Sequence, residues 1–358
     1  MGNPKGASIP FGRVRGQYPV RETPCLLGLI LYPNGLSFPG SRPTMPDLFL
    51  VTGGAGFIGS HLVQRLVERG ERVRVVDNLC NGSIERLGQV RSAIDFVEAD
   101  LAEPQVCDRV VDGVTYVLHQ AAVPSVQRSI RDPLASNRAN VTATLNLLES
   151  CRTRAVSRFV YAASSSAYGN TAVLPKQEDM PANPMSPYAL QKYVGERYAR
   201  IYHELFGLET VSLRYFNVFG PNQDPQSEYS AVIPKFIDKL LNDEMLTIFG
   251  DGEQSRDFTY VDNVVEANLR ALTATGAAGQ VCNIGCGKRI SLNRLVTILE
   301  TIIGRKARVE YQPARRGDVR DSQADINRAI SILDYSPQFS IEDGLSKTIE
   351  WFRAHRRA

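Results

Sequence analysis

The sequence has no excess of charge of either sign: 41 Lys and Arg against 38 Asp and Glu leave a formal net charge of +3. A chain so balanced lacks the electrostatic footprint of a nucleic-acid binder. Membrane-spanning length is missing too. Cys25–Tyr32, the one apolar run among residues 1–44, is too short to cross a bilayer, and its flanks do not resemble a signal peptide. Neither a nucleic-acid nor a membrane partner is expected. Paired cysteine spacings are absent: Cys25, Cys80, Cys107, Cys151, Cys282 and Cys286 are scattered, and the C-x-x-x-C of the last two fits neither a zinc knuckle nor a thioredoxin-type motif. Reduced thiols in a cytoplasmic protein are expected, with no metal and no structural disulfide. The four histidines form no cluster, and there is no internal repeat.

What is present is ordinary for a soluble globular protein: 358 residues, 22% charged and 43% hydrophobic, enough chain for two or three structural units. Residues 1–44 differ from the rest. They hold seven Gly, seven Pro, five Lys or Arg and a single acid, Glu22, a composition that cannot support a packed domain. A disordered tail is expected there. Met45 directly precedes the first strand pattern, and the native product is expected to start at that residue.

The body opens with LFLVTGGAGFIGSHLVQRLVERG, an apolar strand, a glycine-rich turn and a run with Ile58, Leu62, Val63, Leu66 and Val67 at helical spacing. Gly53, Gly56 and Gly59 give G-x-x-G-x-x-G. Those glycines permit a tight turn, close backbone approach to a pyrophosphate and close helix–strand packing, while the helix N-terminus offers a partial positive charge to the phosphates. A second strand, RVRVVDN, ends in Asp77, 18 residues after Gly59. An acid there bonds ribose hydroxyls and repels a 2′-phosphate, which favours NAD over NADP. Asp100 and the stretch His119–Val123 end two further short strands, as candidate loops along the cofactor. His119 reads as a packed structural histidine rather than a base.

RFVYAAS predicts a strand that delivers Ser164 to its carboxyl end, where open α/β sheets place their ligands. Ser186 before Pro187 predicts a helix start, which puts Tyr188 and Lys192 one turn apart on one face. A tyrosine is a poor base at neutral pH, and a nearby ammonium brings its phenol closer to the working range. Taken alone, Tyr-x-x-x-Lys is also a common surface spacing; the glycine turn and Asp77 ahead of it favour a site. Asn137–Cys151 and Tyr188–Phe206 read as long amphipathic helices. Exposed apolar surface on that pair would favour a homodimer, although core packing explains the pattern equally well. After LRYFNVFGP the strand–helix alternation loosens, as expected of a lobe that covers a substrate.

With the glycine turn, Asp77, Ser164, Tyr188 and Lys192 in that order, residues 45–358 resemble the extended short-chain dehydrogenase/reductase family. VVDNLCNG, SSSAYG, SPYALQK, LRYFNVFG and QSRDF are similar to motifs of its nucleotide-sugar 4-epimerases, and FNVFGPNQDP, EYSAVIPKFI and RRGDVRDSQAD to those acting on UDP-N-acetylglucosamine. The resemblance implies an α/β, Rossmann-type doubly wound parallel sheet over residues 45–216. A smaller C-terminal α/β substrate lobe would take most of residues 217–358, with some segments returning to the core. It implies that Gly53, Gly56, Phe57 and Ile58 meet the pyrophosphate of NAD and that Asp77, Asn78 and Asn81 meet the ribose. Asp100 and Leu101 would flank the adenine, with Gln120, Ala121, Ala122 and Asn140 along the cofactor. Tyr188 and Lys192 would reach the nicotinamide ribose.

On the substrate side it implies Ser164, Ser165, Ser166, Asn217, Val232, Arg256, Arg315 and Asp318; Pro124 stands where many glucose epimerases have a lysine, so that contact is lost or supplied by Ser125. Ser322 would leave room for an N-acetyl group. The implied reaction is 4-epimerisation of a UDP-hexose through a 4-keto sugar, with UDP-N-acetylglucosamine/UDP-N-acetylgalactosamine and UDP-glucose/UDP-galactose as substrates. UDP-glucuronate epimerisation, dehydration or decarboxylation, and a non-catalytic NAD sensor are the alternatives. The dehydratase and decarboxylase relatives carry Asp or Glu where this chain has Ser165 and Ser166.

Overall fold

The computed structural model describes residues 46–225, 231–314 and 319–355. The N-terminal segment, Arg315 and Asp318 lie outside the described residues. Seven parallel strands form the central sheet: β1 (Leu48–Thr52), β2 (Arg72–Asp77), β3 (Asp95–Glu98), β4 (Tyr116–His119), β5 (Arg158–Ser164), β6 (Thr210–Tyr215) and β7 (Val281–Ile284). Their order across the sheet is β7-β6-β5-β4-β1-β2-β3. The strands read as nearly unbroken apolar runs because helices cover both faces. In β1, Leu48 and Leu50 point to one face and Phe49 and Val51 to the other.

Five helices do most of that covering: α1 (Phe57–Glu68), α2 (Pro104–Val111), α3 (Ala143–Thr153), α4 (Pro187–Phe206) and α5 (Val261–Thr273). Leu62 and Leu66 of α1 share one core with Val264 and Ala271 of α5. Val110 of α2, Leu147 of α3 and Ala199 of α4 share the opposite one. Each fully buried Val, Leu or Phe of these faces contributes about 1.5–3 kcal/mol. Strand order reverses between the parallel neighbours β1 and β4, from which connections run to opposite edges of the sheet. Ligands of open α/β sheets bind at the carboxyl ends of the strands at that point.

A third core, with Phe219, Ile233, Phe236, Ile248, Leu295, Leu299 and Phe352, is built from the helices Val232–Leu241, Leu292–Ile303 and Ile341–His355 and the parallel pair Leu246–Phe249 and Val309–Gln312. Phe57 and Ile58, in the first turn of α1, pack against it. The glycine turn therefore stands where the sheet and this C-terminal core meet. α5 and β7, although late in the sequence, belong to the sheet layer.

The local signals act as expected at α4: Ser186 Oγ accepts from Ala189 N (3.2 Å), Pro187 opens the helix, and Gly207 closes it with φ 73°. The helix predicted at Asn137–Cys151 differs. Helical structure begins at Pro133 and runs to Thr153, with a π-helical turn at Arg138–Thr142. Asn140 sits in that turn, and its side chain leaves the helix ladder to meet another chain segment. Among the described residues no helix is long and apolar enough to cross a membrane, and no group of three or more His, Cys, Asp or Glu is placed to hold a metal ion.

Candidate active site

A cleft of ≈ 670 Å³ opens at the carboxyl ends of β1, β2, β4 and β5. Its floor is the glycine turn. Gly53 has φ +64°, and a Cβ there would lie 2.7 Å from the Ala121 Cα; a Cβ on Gly59 would collide with the Gly53 carbonyl oxygen. Gly56, the N-cap of α1, supplies no side-chain cap, so the first-turn N–H groups of α1 face the cleft. An anionic diphosphate suits such an uncapped N-terminus. At the end of β2, Asp77 Oδ2 accepts from Ala55 N (3.0 Å) and Oδ1 from Leu79 N (2.8 Å). Burial pushes its pKa up, while those two N–H groups pull it down. Each carboxylate oxygen keeps lone-pair capacity for a further donor, such as a ribose hydroxyl. The floor and the β2 end therefore fit a dinucleotide.

Asn78, Asn81, Asp100, Leu101, Gln120, Ala121 and Ala122 also line this cleft. Gln120 Nε2 is held by Tyr215 Oη and Asn268 Oδ1, each at 3.1 Å. Asn140 stands elsewhere. It is 2% exposed, with Oδ1 accepting from Val123 N (2.7 Å) and Nδ2 donating to Gln191 Oε1 (2.9 Å). Its neighbours Ala139 and Ala143 form the wall instead, because the π turn rotates the Asn140 amide towards Val123. Asn140 is therefore a support behind the wall and not a lining residue.

Ser164, Tyr188 and Lys192 meet on the opposite bank. Ser164, at the end of β5, accepts from Ser166 Oγ (2.8 Å) and Ser166 N (3.2 Å), which leaves its own O–H to donate. The Tyr188 phenol is pushed up to about 12 by burial, and the Ser164 hydroxyl acts in the opposite sense. Lys192 donates from Nζ to Ala162 O (2.8 Å), and burial lowers its pKa to about 8. Spacing alone predicts an ammonium that lowers the phenol; in this structure desolvation is the leading cause at both groups, raising the phenol and lowering the ammonium. Tyr188 N also donates to Ser129 Oγ (3.0 Å), which fixes the start of α4 against the Val126–Arg131 helix.

His119 is no part of this group. Its ring lies fully buried between Thr52 Oγ1 (2.7 Å) and Thr144 Oγ1 (2.9 Å), and burial brings its pKa down to about 3. The unfolded chain takes up a proton near pH 6.5 while the folded chain does not. Stability should therefore fall as pH drops below about 6.5, by up to ~1.4 kcal/mol per pH unit from this residue. Urea midpoints at pH 7, 6 and 5 should show a shallower acid slope in His119→Asn than in wild type; equal slopes would contradict the assignment.

The substrate-side residues are less gathered. Ser125, the N-cap of the Val126–Arg131 helix, and Asn217, held by Asp257 O (3.1 Å), line the cleft. Ser165, Ser166, Val232, Arg256 and Ser322 fall outside its wall, although Ser164 and Ala231 beside three of them are in it. Arg256 Nη1 turns to Ser255 O (2.9 Å) and Arg320 O (2.8 Å), and Ser322 N donates to Ser255 O (3.1 Å). Arg86, Arg128, Gln223 and Asp224 line the cleft without any signal in the sequence. Their placement depends on loops that no periodicity describes.

The NAD dependent epimerase/dehydratase family model matches residues 49–285. The UDP-glucose 4-epimerase of Mycolicibacterium smegmatis is 39% identical over 308 residues, 85% of this chain and 98% of that protein. Among solved structures, the UDP-N-acetylglucosamine 4-epimerase of Methanobrevibacter ruminantium, in complex with UDP-N-acetylmuramic acid, superimposes with a TM-score of 0.83 at 38% identity, over 87% of this chain and 100% of that one. The UDP-glucuronic acid 4-epimerase of Bacillus cereus, with UDP-glucuronic acid and NAD bound, has a TM-score of 0.79 at 33% identity, over 86% of this chain and 99% of that one. Identity at this level spans both the sheet and the C-terminal core, and the chain belongs to the NAD dependent epimerase/dehydratase family.

Proposed function

We propose that the protein is an NAD-dependent UDP-sugar 4-epimerase, with Tyr188 as the proton acceptor and donor at the sugar C4 hydroxyl. One observation carries this reading: Ser164, Tyr188 and Lys192 line the same cleft as the glycine turn and Asp77. Bound NAD would supply the hydride acceptor and donor for C4. Gly53, Gly56, Phe57 and Ile58 would hold its pyrophosphate, Asp77, Asn78 and Asn81 its ribose, and Lys192 the second ribose.

Ser164 aligns the C4 hydroxyl with the phenol and passes a hydrogen bond between them. Tyr188 takes the hydroxyl proton as C4 is oxidised to the ketone and returns it to the opposite epimer once the sugar has turned over. Lys192, an ammonium one helical turn away, opposes the burial that keeps the phenol protonated. Dehydration or decarboxylation would need a further acid or base near C5 and C6. Among the described residues the carboxylates of the cleft wall are Asp77, Asp100 and Asp224, while Ser165 and Ser166 stand beside the hydroxyl, so epimerisation is the better-supported reaction. A homodimer belongs to this reading, supported by the exposed apolar residues Ile130, Leu134, Leu190 and Leu205 on and near α4.

Product spectra by nuclear magnetic resonance with UDP-glucose, UDP-N-acetylglucosamine and UDP-glucuronate test the proposal. Inversion at C4 is expected for UDP-glucose and UDP-N-acetylglucosamine, and no conversion of any of the three would sink it. Arg256, Arg315 and Asp318 are assigned to the UDP, Arg through its fork-shaped match to phosphate oxygens, and Val232 to the uridine side. Ser322 is assigned to the sugar end. Ser322→Tyr should depress kcat/KM on UDP-N-acetylglucosamine about tenfold or more, the effect of overpacking by roughly 1–3 kcal/mol, and leave UDP-glucose turnover largely intact. Equal loss on both sugars would remove Ser322 from that role.

A further inference from the structure

Two guanidinium groups converge on one residue at the rim of the cleft. Asn81 receives Arg128 Nη1 at its side-chain Oδ1 (2.5 Å) and Arg86 Nη1 at its main-chain carbonyl (3.0 Å). All three residues line the cleft, yet they come from opposite banks. Asn81 and Arg86 follow β2, whereas Arg128 lies on the Val126–Arg131 helix that follows β4. In the sheet β1 lies between β2 and β4. The Arg128–Asn81 bond therefore spans the mouth above the glycine turn that ends β1.

Both banks are anchored. Arg86 also reaches Ala55 O (3.4 Å), and Ser83 N donates to the same carbonyl (2.9 Å), which ties the loop after β2 to the glycine turn. On the other bank Ser125 Oγ accepts from Arg128 N (3.1 Å), and the fully buried Ser129 accepts from Tyr188 N (3.0 Å). Arg128 thus projects from a helix fastened to α4, towards a loop fastened to the cofactor floor. Its bond takes only Oδ1 of Asn81; Nδ2 donates one N–H to Cys80 Sγ (3.5 Å), which leaves the second for a ribose.

We propose that Arg128 and Asn81 form a clasp that closes over the bound dinucleotide and holds it between turnovers, with Arg86 bracing Asn81 in place. The proposal rests on the reading of this cleft as the NAD site. A dinucleotide lying on the glycine turn passes beneath the bond, so escape requires the clasp to open. A hydrogen bond from a charged donor is among the stronger ones, and the two cations also complement a diphosphate. Epimerisation returns the cofactor to its starting oxidation state, so a slower dissociation rate takes nothing from the cycle. Affinity differences of this kind reside mainly in the dissociation rate.

The test is NAD retention, read without sugar: the NAD content of the purified protein after acid release, and the rate at which loaded protein loses NAD on dilution. Arg128→Ala should lose NAD about tenfold faster than wild type, Asn81→Ala at least as fast because it also removes a ribose contact, and the double variant no faster than Asn81→Ala. Arg128→Lys, which restores a charged donor, should recover part of the retention; a folding lesion would not be recovered this way. A wild-type rate in Arg128→Ala, or a double variant whose loss is the product of the two single effects, would overturn the clasp. If wild type takes up no NAD at all, the reading of the cleft falls and the clasp with it. If wild type holds NAD and Arg128→Ala holds it equally long, the clasp alone falls.

Discussion

Tyr188→Phe is expected to lower kcat by about 10²–10⁴-fold, the range a positioned acid–base group contributes, while the protein still folds and still takes up NAD. The substitution removes one oxygen and keeps the ring that fills the buried site. What is lost is the cleft-lining hydroxyl that can take a proton from a C4 hydroxyl and return it. Burial holds the phenol at about 12 before ligands bind, so its basic form becomes more populated as pH rises. The wild-type rate should therefore climb with pH in the range where proton removal limits turnover, and the variant should have no such limb. Steady-state rates from product spectra, paired with NAD content after acid release, check both points. Turnover equal to wild type would remove Tyr188 from the chemistry.

Gly59→Ala should abolish stable NAD uptake and lower the urea midpoint. The new Cβ would collide with the Gly53 carbonyl oxygen and would stand 2.8 Å from Gly54 Cα. Both obstacles are backbone, and Gly53 is itself pressed against Ala121 with φ +64°. Neither can move without opening the floor of the cleft. Overpacking of this kind costs roughly 1–3 kcal/mol or more, and a tilt of α1 would in addition turn its N–H groups away from the diphosphate. Gly70→Ala is the matched comparison. Gly70 has φ +78°, but a methyl group there would meet nothing within 4 Å, so the variant should lose only the left-handed preference, about 1 kcal/mol, and keep NAD. Equal NAD content in the two variants would show that the glycine turn is not a cofactor floor.

The sheet was legible in the sequence because its strands are buried on both faces and its helices on one, and each case leaves its own apolar period. LFLVT, RVRVVD and RFVYAAS could be read as strands, and the Ser-Pro start of α4 could be placed to the residue. His119 could be read as structural from the apolar strand that ends in it, and the structure adds the two threonines that hold its ring. The π turn at Arg138–Thr142 had no such signature. A single inserted residue changes the direction of the Asn140 side chain without changing the apolar spacing around it.

By its own residues the sequence determined the order of strands and helices, the glycine turn with Asp77 behind it, and the single helical face shared by Tyr188 and Lys192. These are local properties, set by neighbours within a few positions along the chain. Only the tertiary structure decided that Ser164 and Tyr188 line one cleft, that burial is the leading influence on both Tyr188 and Lys192, and that Arg86 and Arg128 meet at Asn81. The Arg128–Asn81 contact joins residues 47 apart, and the Gln120–Asn268 contact joins residues 148 apart. Such contacts follow from the packing of β1 between β2 and β4 and of β6 beside β5, and desolvation follows from how completely a site is covered. Neither quantity has a period in the sequence, because both depend on which distant segments the sheet brings side by side.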